Sequence, residues 1–248
     1  MHKEILARGT GNNIERRLES AREISRMHEG EIKTTEQLGS LKIIHPGMTD
    51  RNVLNAFRGL RAKLFTMNQG EGFVVMVSPV VSDSGSSFTA SNLAAAIALD
   101  DTKTALLVDC NIRNPCLHEL LDINCKYGLT DFIENSQDVS VEQLIHPTGI
   151  PRLRLVPAGQ QHESVSDYFT SVHMEAFLEE VRSRYRERFV VIDAPSVAES
   201  PDARVLADLS DAVILCVGYA KSTRRQIAEV AVEIGKDKLA GVVFSEGR

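Results

Sequence analysis

Six short runs rich in apolar and β-branched residues recur along the chain: FVVMVS (73–78), TALLVD (104–109), RLRLVP (152–157), FVVID (189–193), AVILCV (212–217) and LAGVVF (239–244). A half-exposed strand alternates apolar and polar residues, whereas a strand buried on both faces reads as a nearly unbroken apolar run. Helical patterns fall between the runs: SFTASNLAAAIAL after the first, HMEAFLEEVRSRY before the fourth and STRRQIAEVAVEIG before the last. A further helix is expected around residues 51–66. Strands alternating with helices predict an α/β fold with a mostly parallel sheet covered by helices on both faces. The 248 residues, 43% of them hydrophobic, suit one such domain of about 200 residues plus a short appendage.

Charge narrows the range of partners. With 28 basic against 34 acidic side chains the net charge is -6, which argues against nucleic acid or a bulk anionic membrane surface as the partner. The most apolar stretch, 203–220, is interrupted by Asp208 and Asp211, so no membrane span is expected. The first residues, MHKEILARGTGNN, lack the apolar core of a secretory signal. A cytoplasmic location follows as the expectation, with the four cysteines as reduced thiols.

The appendage has a pattern of its own. In NNIERRLESAREISRMHEG the apolar Ile14, Leu18, Ala21, Ile24 and Met27 recur at helical spacing among charges. An N-terminal amphipathic helix is expected, capped by Asn12 or Asn13 and stopped near Gly30, with its apolar stripe on its own domain or on another chain. Residues 31–48, with Gly39, Pro46 and Gly47 as breakers, read as a linker. The chain thus divides into a helix and linker over 1–48 and an α/β domain over 49–248.

In an open parallel sheet, ligands sit at the carboxyl ends of the strands, and the turn from the first strand into the first helix is the usual phosphate site. Here that turn runs from Ser78 through Ser82, Asp83, Ser84, Gly85, Ser86 and Ser87 to Phe88 and Thr89. A phosphate loop needs glycines that let backbone N–H groups turn inward, a lysine for the β- and γ-phosphates and a Ser or Thr hydroxyl for magnesium. Gly85 and Ser87 stand at two of these positions, but Ser86 occupies the lysine position and Asp83 an early glycine position. Asp109 and Asp193 end two of the apolar runs. A carboxylate at a strand tip beside such a loop can hold magnesium, or it can cap the next turn or helix.

From about Asn55 to Phe244, some three quarters of the chain, the order of segments resembles the bacterial tyrosine kinases (BY-kinases) and their relatives associated with polysaccharide co-polymerases, including autokinases of exosortase-type exopolysaccharide loci. AFRGLRAKLF resembles the family's Glu-x-x-Arg-x-x-Arg oligomerisation helix, with Arg58 and Arg61 at the arginine positions. FVVMVSPVVSDSGSSFTASNLA resembles its Walker A strand, loop and helix, LLVDCNIRNPCLHELL its Walker A′ segment, and VVIDAPSV with DARVLADLSDAVILCV its Walker B strand and beyond. The resemblance implies a P-loop NTPase-like fold of the MinD/BY-kinase type. It also implies Asp109 and Asp193 as catalytic groups of an active enzyme, with Ser87, Asp109 and Asp193 around Mg. ATP would lie against Gly85, Ser86, Ser87, Phe88 and Asn111.

The departures are as informative. The Walker A lysine falls on Ser86, a glycine on Asp83 and a proline on Ser82. The second Walker A′ carboxylate falls on Asn111, the glutamate of the oligomerisation helix on Asn55, and the last tyrosine of the sequence is Tyr219. A charge-assisted hydrogen bond to phosphate is worth about 1.5–3 kcal/mol, so losing the lysine weakens nucleotide binding roughly 10- to 100-fold. Phosphoryl transfer, which depends on electrostatic stabilisation, suffers more. Arg113 is the nearest basic candidate to substitute.

The expectation is therefore a catalytically impaired regulatory or scaffold protein of exopolysaccharide synthesis and export, with weak or absent ATP/Mg binding. It would act as a homo-oligomer, peripheral at the inner membrane through a co-polymerase partner. An active tyrosine kinase with a non-standard loop is the enzymatic alternative. A MinD/ParA-like ATPase is the other, although the position of that class's signature lysine is Val81. Cys110, Cys116, His118 and Cys125 cluster in sequence, but the spacing C-x5-C-x-H-x6-C matches no zinc knuckle.

Overall fold

The apolar runs pair side by side in one seven-stranded sheet. In chain order the strands are β1 (Phe73–Pro79), β2 (Thr104–Asp109), β3 (His146–Pro147), β4 (Leu153–Val156), β5 (Arg188–Asp193), β6 (Ala212–Gly218) and β7 (Leu239–Ser245). Their spatial order is β3-β4-β2-β5-β1-β6-β7, and every neighbouring pair is parallel except β3 with β4. The computed structural model describes residues 21, 22, 24, 25, 29–68, 72–160, 168–183 and 187–246. The six expected strands are present. The seventh, β3, is too short to show any periodicity in sequence.

Alternate side chains of each strand point to opposite faces, and two cores result. On one face Val74, Met76, Leu106, Val108, Val190 and Ile192 pack with Met174, Phe177, Ala203 and Leu206. The last four come from α7 (Val172–Ser183) and α8 (Pro201–Leu209). On the other, Val75, Val77, Leu107 and Val191 pack with Leu93, Ala94, Ile97, Leu54 and Leu64. These last belong to α3 (Ser86–Ala98) and α2 (Arg51–Met67). Nearly all of α3 is buried, because its alanines let it lie between the sheet and α2. Short helices α4 (Leu117–Leu120), α5 (Leu129–Glu134) and α6 (Val141–Leu144) follow β2, and α9 (Arg224–Ile234) precedes β7. Among the described residues no helix is long and apolar enough to cross a membrane.

The segment read as a linker over 31–48 is folded onto the domain. Its helix α1 (Thr35–Ser40) has a reciprocal cap: Thr34 Oγ1 accepts from the Gln37 N–H, and Gln37 Oε1 accepts from the Thr34 N–H. Ile43 and Ile44 are fully buried in the α2–α3 core. The buried Asn92 of α3 fastens them, its Oδ1 accepting from the Ile44 N–H at 2.8 Å and its Nδ2 donating to the Lys42 and Phe88 carbonyls. Just upstream, Glu29 accepts from the Arg152 N–H and pairs with the Arg154 guanidinium at 2.7 Å, while the Lys33 N–H donates to the Gly149 carbonyl. Of the residues that mark a linker in sequence, Gly39 lies within α1, and Pro46 and Gly47 form an exposed turn after the buried Ile43 and Ile44.

Most of the expected amphipathic helix, including Asn12, Asn13, Ile14, Leu18 and Met27, lies outside the described residues. Ala21, Arg22 and Ile24 are helical and Ile24 is buried.

Replacing Asn92 by Ala should leave the Ile44 N–H and the Lys42 carbonyl without their partner. The Ile44 N–H is buried and the Lys42 carbonyl can turn to water, so one buried unsatisfied group at roughly 1–3 kcal/mol is the loss that urea unfolding should show, with an unchanged m-value.

Candidate functional site

The parallel register of β2 with β5 sets Asp109 directly opposite Asp193 at the carboxyl ends of both strands. Both are fully buried. Their hydrogen bonds differ. Asp109 is a cap: its Oδ1 accepts from the Asn111 N–H, and its Oδ2 accepts from the N–H groups of Cys116 and Leu117 at the start of α4. Asp193 has no such partners, and neither carboxylate oxygen makes a hydrogen bond of good geometry among the described residues. Burial raises its pKa well above the usual carboxylate range, and the neighbouring Asp109 adds to this. The nearby Ser87 and Ser86 hydroxyls oppose it. Asp109 is also raised by burial, against which its three backbone donors and His118 act.

Above this pair lies the β1–α3 loop. Its backbone keeps the form of a phosphate loop although its side chains do not. Gly85, at the N-cap of α3, has φ +78°, and a Cβ there would stand 2.9 Å from Ser245 Oγ. Asp83 has φ +59°, a left-handed conformation that glycine takes freely and that costs an ordinary residue about 1–2 kcal/mol. The N–H groups of residues 83–88 donate no hydrogen bond to any described residue. A run of free N–H groups at the start of a helix is an anion cradle.

The loop is stapled on both sides. Glu199, in the segment after β5, accepts from the Ser82 hydroxyl at 2.5 Å and from the Ser82 N–H at 3.3 Å. Lys221, in the turn after β6, donates its ammonium to the Asp83 carbonyl at 2.6 Å, its stem lying along Gly218. Inside the loop, Ser84 Oγ donates to the Val81 carbonyl.

Between the loop, the start of the β2–α4 segment and the β5–α8 segment is a cavity of about 640 Å³. Gly85, Ser86, Ser87, Phe88 and Asn111 all line it, so the structure brings these five sequence candidates together. The charged residues of its wall are Asp83, Glu199 and Asp202 against Arg113 alone. Arg58 and Arg61 lie elsewhere, on α2. Arg58 is exposed, while Arg61 donates to the Ala96 carbonyl at 2.8 Å and stacks over Phe65.

Glu199, Asp202 and Lys221 were not singled out from sequence. The first two lie within nine residues of Asp193 in chain order, which was the available signal, whereas nothing local marks Lys221. Cys110 and Cys216 are buried, Cys116 and Cys125 half-buried, and burial pushes all four thiols up, Cys125 to about 11 and Cys216 to about 12. Among the described residues no group of three His, Cys, Asp or Glu side chains is placed to hold a metal ion.

In sequence and in fold the chain is similar to bacterial tyrosine-protein kinases. The tyrosine-protein kinase Wzc of Salmonella typhi is 30% identical over 197 residues, which is 79% of this chain and 27% of Wzc. A putative tyrosine-protein kinase, EpsB of Ralstonia solanacearum, is 31% identical over 77% of this chain and 25% of its own length. The solved kinase domain of Escherichia coli Etk superposes with a TM-score of 0.71 at 22% identity, covering 87% of both chains. The chain belongs to the BY-kinase P-loop family. It spans about a quarter of the length of the curated relatives it matches. No protein-family profile matches it.

The residues fit magnesium better than they fit ATP. A hard cation held by one or two carboxylates would satisfy Asp193, with the Ser87 hydroxyl beside it. For a triphosphate the free N–H groups fit, but the acidic wall and the serine at the lysine position do not.

Because the raised pKa of Asp193 marks a preference of the folded state for the protonated acid, its stability contribution is present below the unfolded pKa and is lost as pH rises through the folded pKa. In metal-free buffer Asp193→Asn should therefore have a higher Tm than the parent at pH 8, and the gap should close toward pH 4. Thermal unfolding across that range checks the sign.

Proposed function

We propose that this chain is a catalytically impaired BY-kinase-like protein that serves exopolysaccharide synthesis and export as a regulatory or scaffolding partner. The observation that carries this reading is the negative charge of the site, with the buried Asp193 beneath a loop whose lysine position is serine. In an active site of this design a cation, either the loop lysine or magnesium drawn in with the nucleotide, would answer that charge. Here Ser86 is buried at the lysine position, and Asp83, Glu199 and Asp202 line the approach. Transfer of a phosphoryl group relies on positive charge around the moving phosphate, so a wall of this sign opposes the chemistry more than the binding.

Within this reading Asp193 and Ser87 are the residues that would hold magnesium, and Asp109 supports them by fixing the start of α4. The N–H groups of residues 83–88, with Gly85, Ser86, Phe88 and Asn111 around them, would meet phosphate oxygens. Bound Mg-ATP would supply the transferable phosphoryl group and the missing positive charge. Self-association through α2, with Arg58 presented to solvent, and attachment to an inner-membrane polysaccharide co-polymerase complete the proposal. Placement at the inner membrane would then come from that partner. A loop that no longer cycles with nucleotide leaves the binding surfaces in one state, which suits a scaffold.

The free N–H groups of residues 83–88 favour a second reading, an active kinase with a non-standard loop. Calorimetry separates the two. The parent chain should bind Mg-ATP no tighter than about 1 mM. Adding back the family residues in Ser86→Lys with Asp83→Gly should tighten binding roughly 10- to 100-fold, the worth of one charge-assisted phosphate contact. Micromolar binding by the parent, with transfer to tyrosine, would sink the scaffold reading. A parallel thermal scan at pH 8 should show magnesium alone raising the Tm of the parent and leaving Asp193→Asn unmoved.

A further inference from the structure

One carboxylate bonds to the loop directly. Ser82 presents two donors, its N–H and its hydroxyl, and both meet the same oxygen, Oε2 of Glu199, at 3.3 and 2.5 Å. Donors that converge on one anionic oxygen are what a phosphate loop offers to a phosphate. Here the oxyanion belongs to the chain itself, and both residues line the cavity beneath the loop.

The segment that carries Glu199 is fastened to β1 and the loop by bonds in which its side chain takes no part. Ser78, near the end of β1, donates its hydroxyl to the Pro195 carbonyl at 2.7 Å and accepts from the Val197 N–H at 3.2 Å. Ser196 donates its hydroxyl to the Val80 carbonyl at 2.8 Å, and both serines are buried. The N–H groups of Glu199 and Ser200 then turn back to the Ser196 carbonyl, and α8 begins at Pro201. The backbone of Glu199 is thus held beside residues 80–82. The residue itself is exposed, so its carboxylate can leave Ser82 without any change in the core.

We infer that Glu199 is an internal anion that competes with phosphate for the loop, and so sets, together with the serine at the lysine position, which ligands the cavity accepts. An entering phosphate group finds the donors of Ser82 already taken and a negative charge beside the free N–H groups of residues 83–88. It must displace the carboxylate or bind against its charge. Magnesium and uncharged ligands meet no such opposition. The inference rests on the impaired-kinase reading for the weak binding of the parent chain, and it assigns part of that weakness to Glu199 in addition to Ser86.

Calorimetry on the full chain with inorganic pyrophosphate, and separately with Mg-ATP, supplies the test. Glu199→Ala should bind both roughly tenfold more tightly than the parent, the lower end of what a charge-assisted contact is worth. Asp83→Asn removes an equal charge from the same wall and leaves the bonds between Glu199 and Ser82 in place. Asparagine also tolerates the left-handed backbone there, so this variant should fold and gain less than about threefold. Equal gains from the two variants would reduce Glu199 to one charge among several and overturn the inference. An affinity of Glu199→Ala equal to that of the parent overturns it as well.

Hydrogen exchange gives the second readout. The Ser82 amide should exchange at least about tenfold faster in Glu199→Ala than in the parent, and pyrophosphate should slow it again. Equal exchange of that amide in the two chains counts against the internal anion. Failure of the impaired-kinase reading has a different signature, micromolar Mg-ATP binding by the parent with transfer to tyrosine, and the comparison of parent with Glu199→Ala decides the role of Glu199 in that case too.

Discussion

Two carboxylates face each other at the tips of adjacent parallel strands, and the rest of the site is arranged around that fact. The register of β2 with β5 is set by the two apolar cores, because a slip of one residue would turn every strand side chain to the wrong face. The cores therefore determine that Asp109 and Asp193 end level with each other. Two ionised groups that close and that buried are costly unless something answers their charge. For Asp109 the answer is internal, three backbone N–H groups from the segment leading into α4. For Asp193 only the nearby Ser86 and Ser87 hydroxyls act against the effect of burial, and neither carboxylate oxygen makes a hydrogen bond of good geometry among the described residues.

The same asymmetry accounts for what could be read from the sequence. Buried parallel strands show themselves as apolar runs, so the sheet and its main helices were legible. β3 was not, since two residues at an edge display no period. The segment over 31–48 was misread for a related reason. Gly39, Pro46 and Gly47 signal breaks locally, whereas the bonds from Asn92 that fasten Lys42 and Ile44 come from 48 and 50 residues away. Site residues that end a strand or open a helix, such as Asp109, Asp193 and Gly85, were legible from position. The capping role of Asp109 and the orphaned state of Asp193 were not, because both depend on which N–H groups reach each carboxylate. Glu199 and Lys221 act on the loop from 117 and 138 residues away, and no spacing rule reports such contacts.

The loop separates backbone form from side-chain chemistry. Asp83 still adopts the left-handed conformation expected of the family's glycine, and aspartate is among the few residues that tolerate it. Gly85 keeps its place because a side chain would strike Ser245. These are requirements of the fold: the turn must pass from β1 into α3 above two carboxylates, whatever lies in the cavity. The lysine has no such structural duty. With serine at that position the turn is intact, Gly85 and Asp83 keeping their left-handed backbone.

The loop is braced by protein groups, Glu199 on the Ser82 side and Lys221 on the Asp83 side, each at hydrogen-bond distance. Both braces come from segments that follow strands next to β1, namely β5 and β6, so they transmit the position of the sheet directly to the loop. A carboxylate bonded to the Ser82 N–H occupies a donor that would otherwise face a ligand oxygen, while the donors of residues 83–88 stay free. The arrangement holds the loop with the domain's own side chains, from the segment before α8 on one side and the turn after β6 on the other.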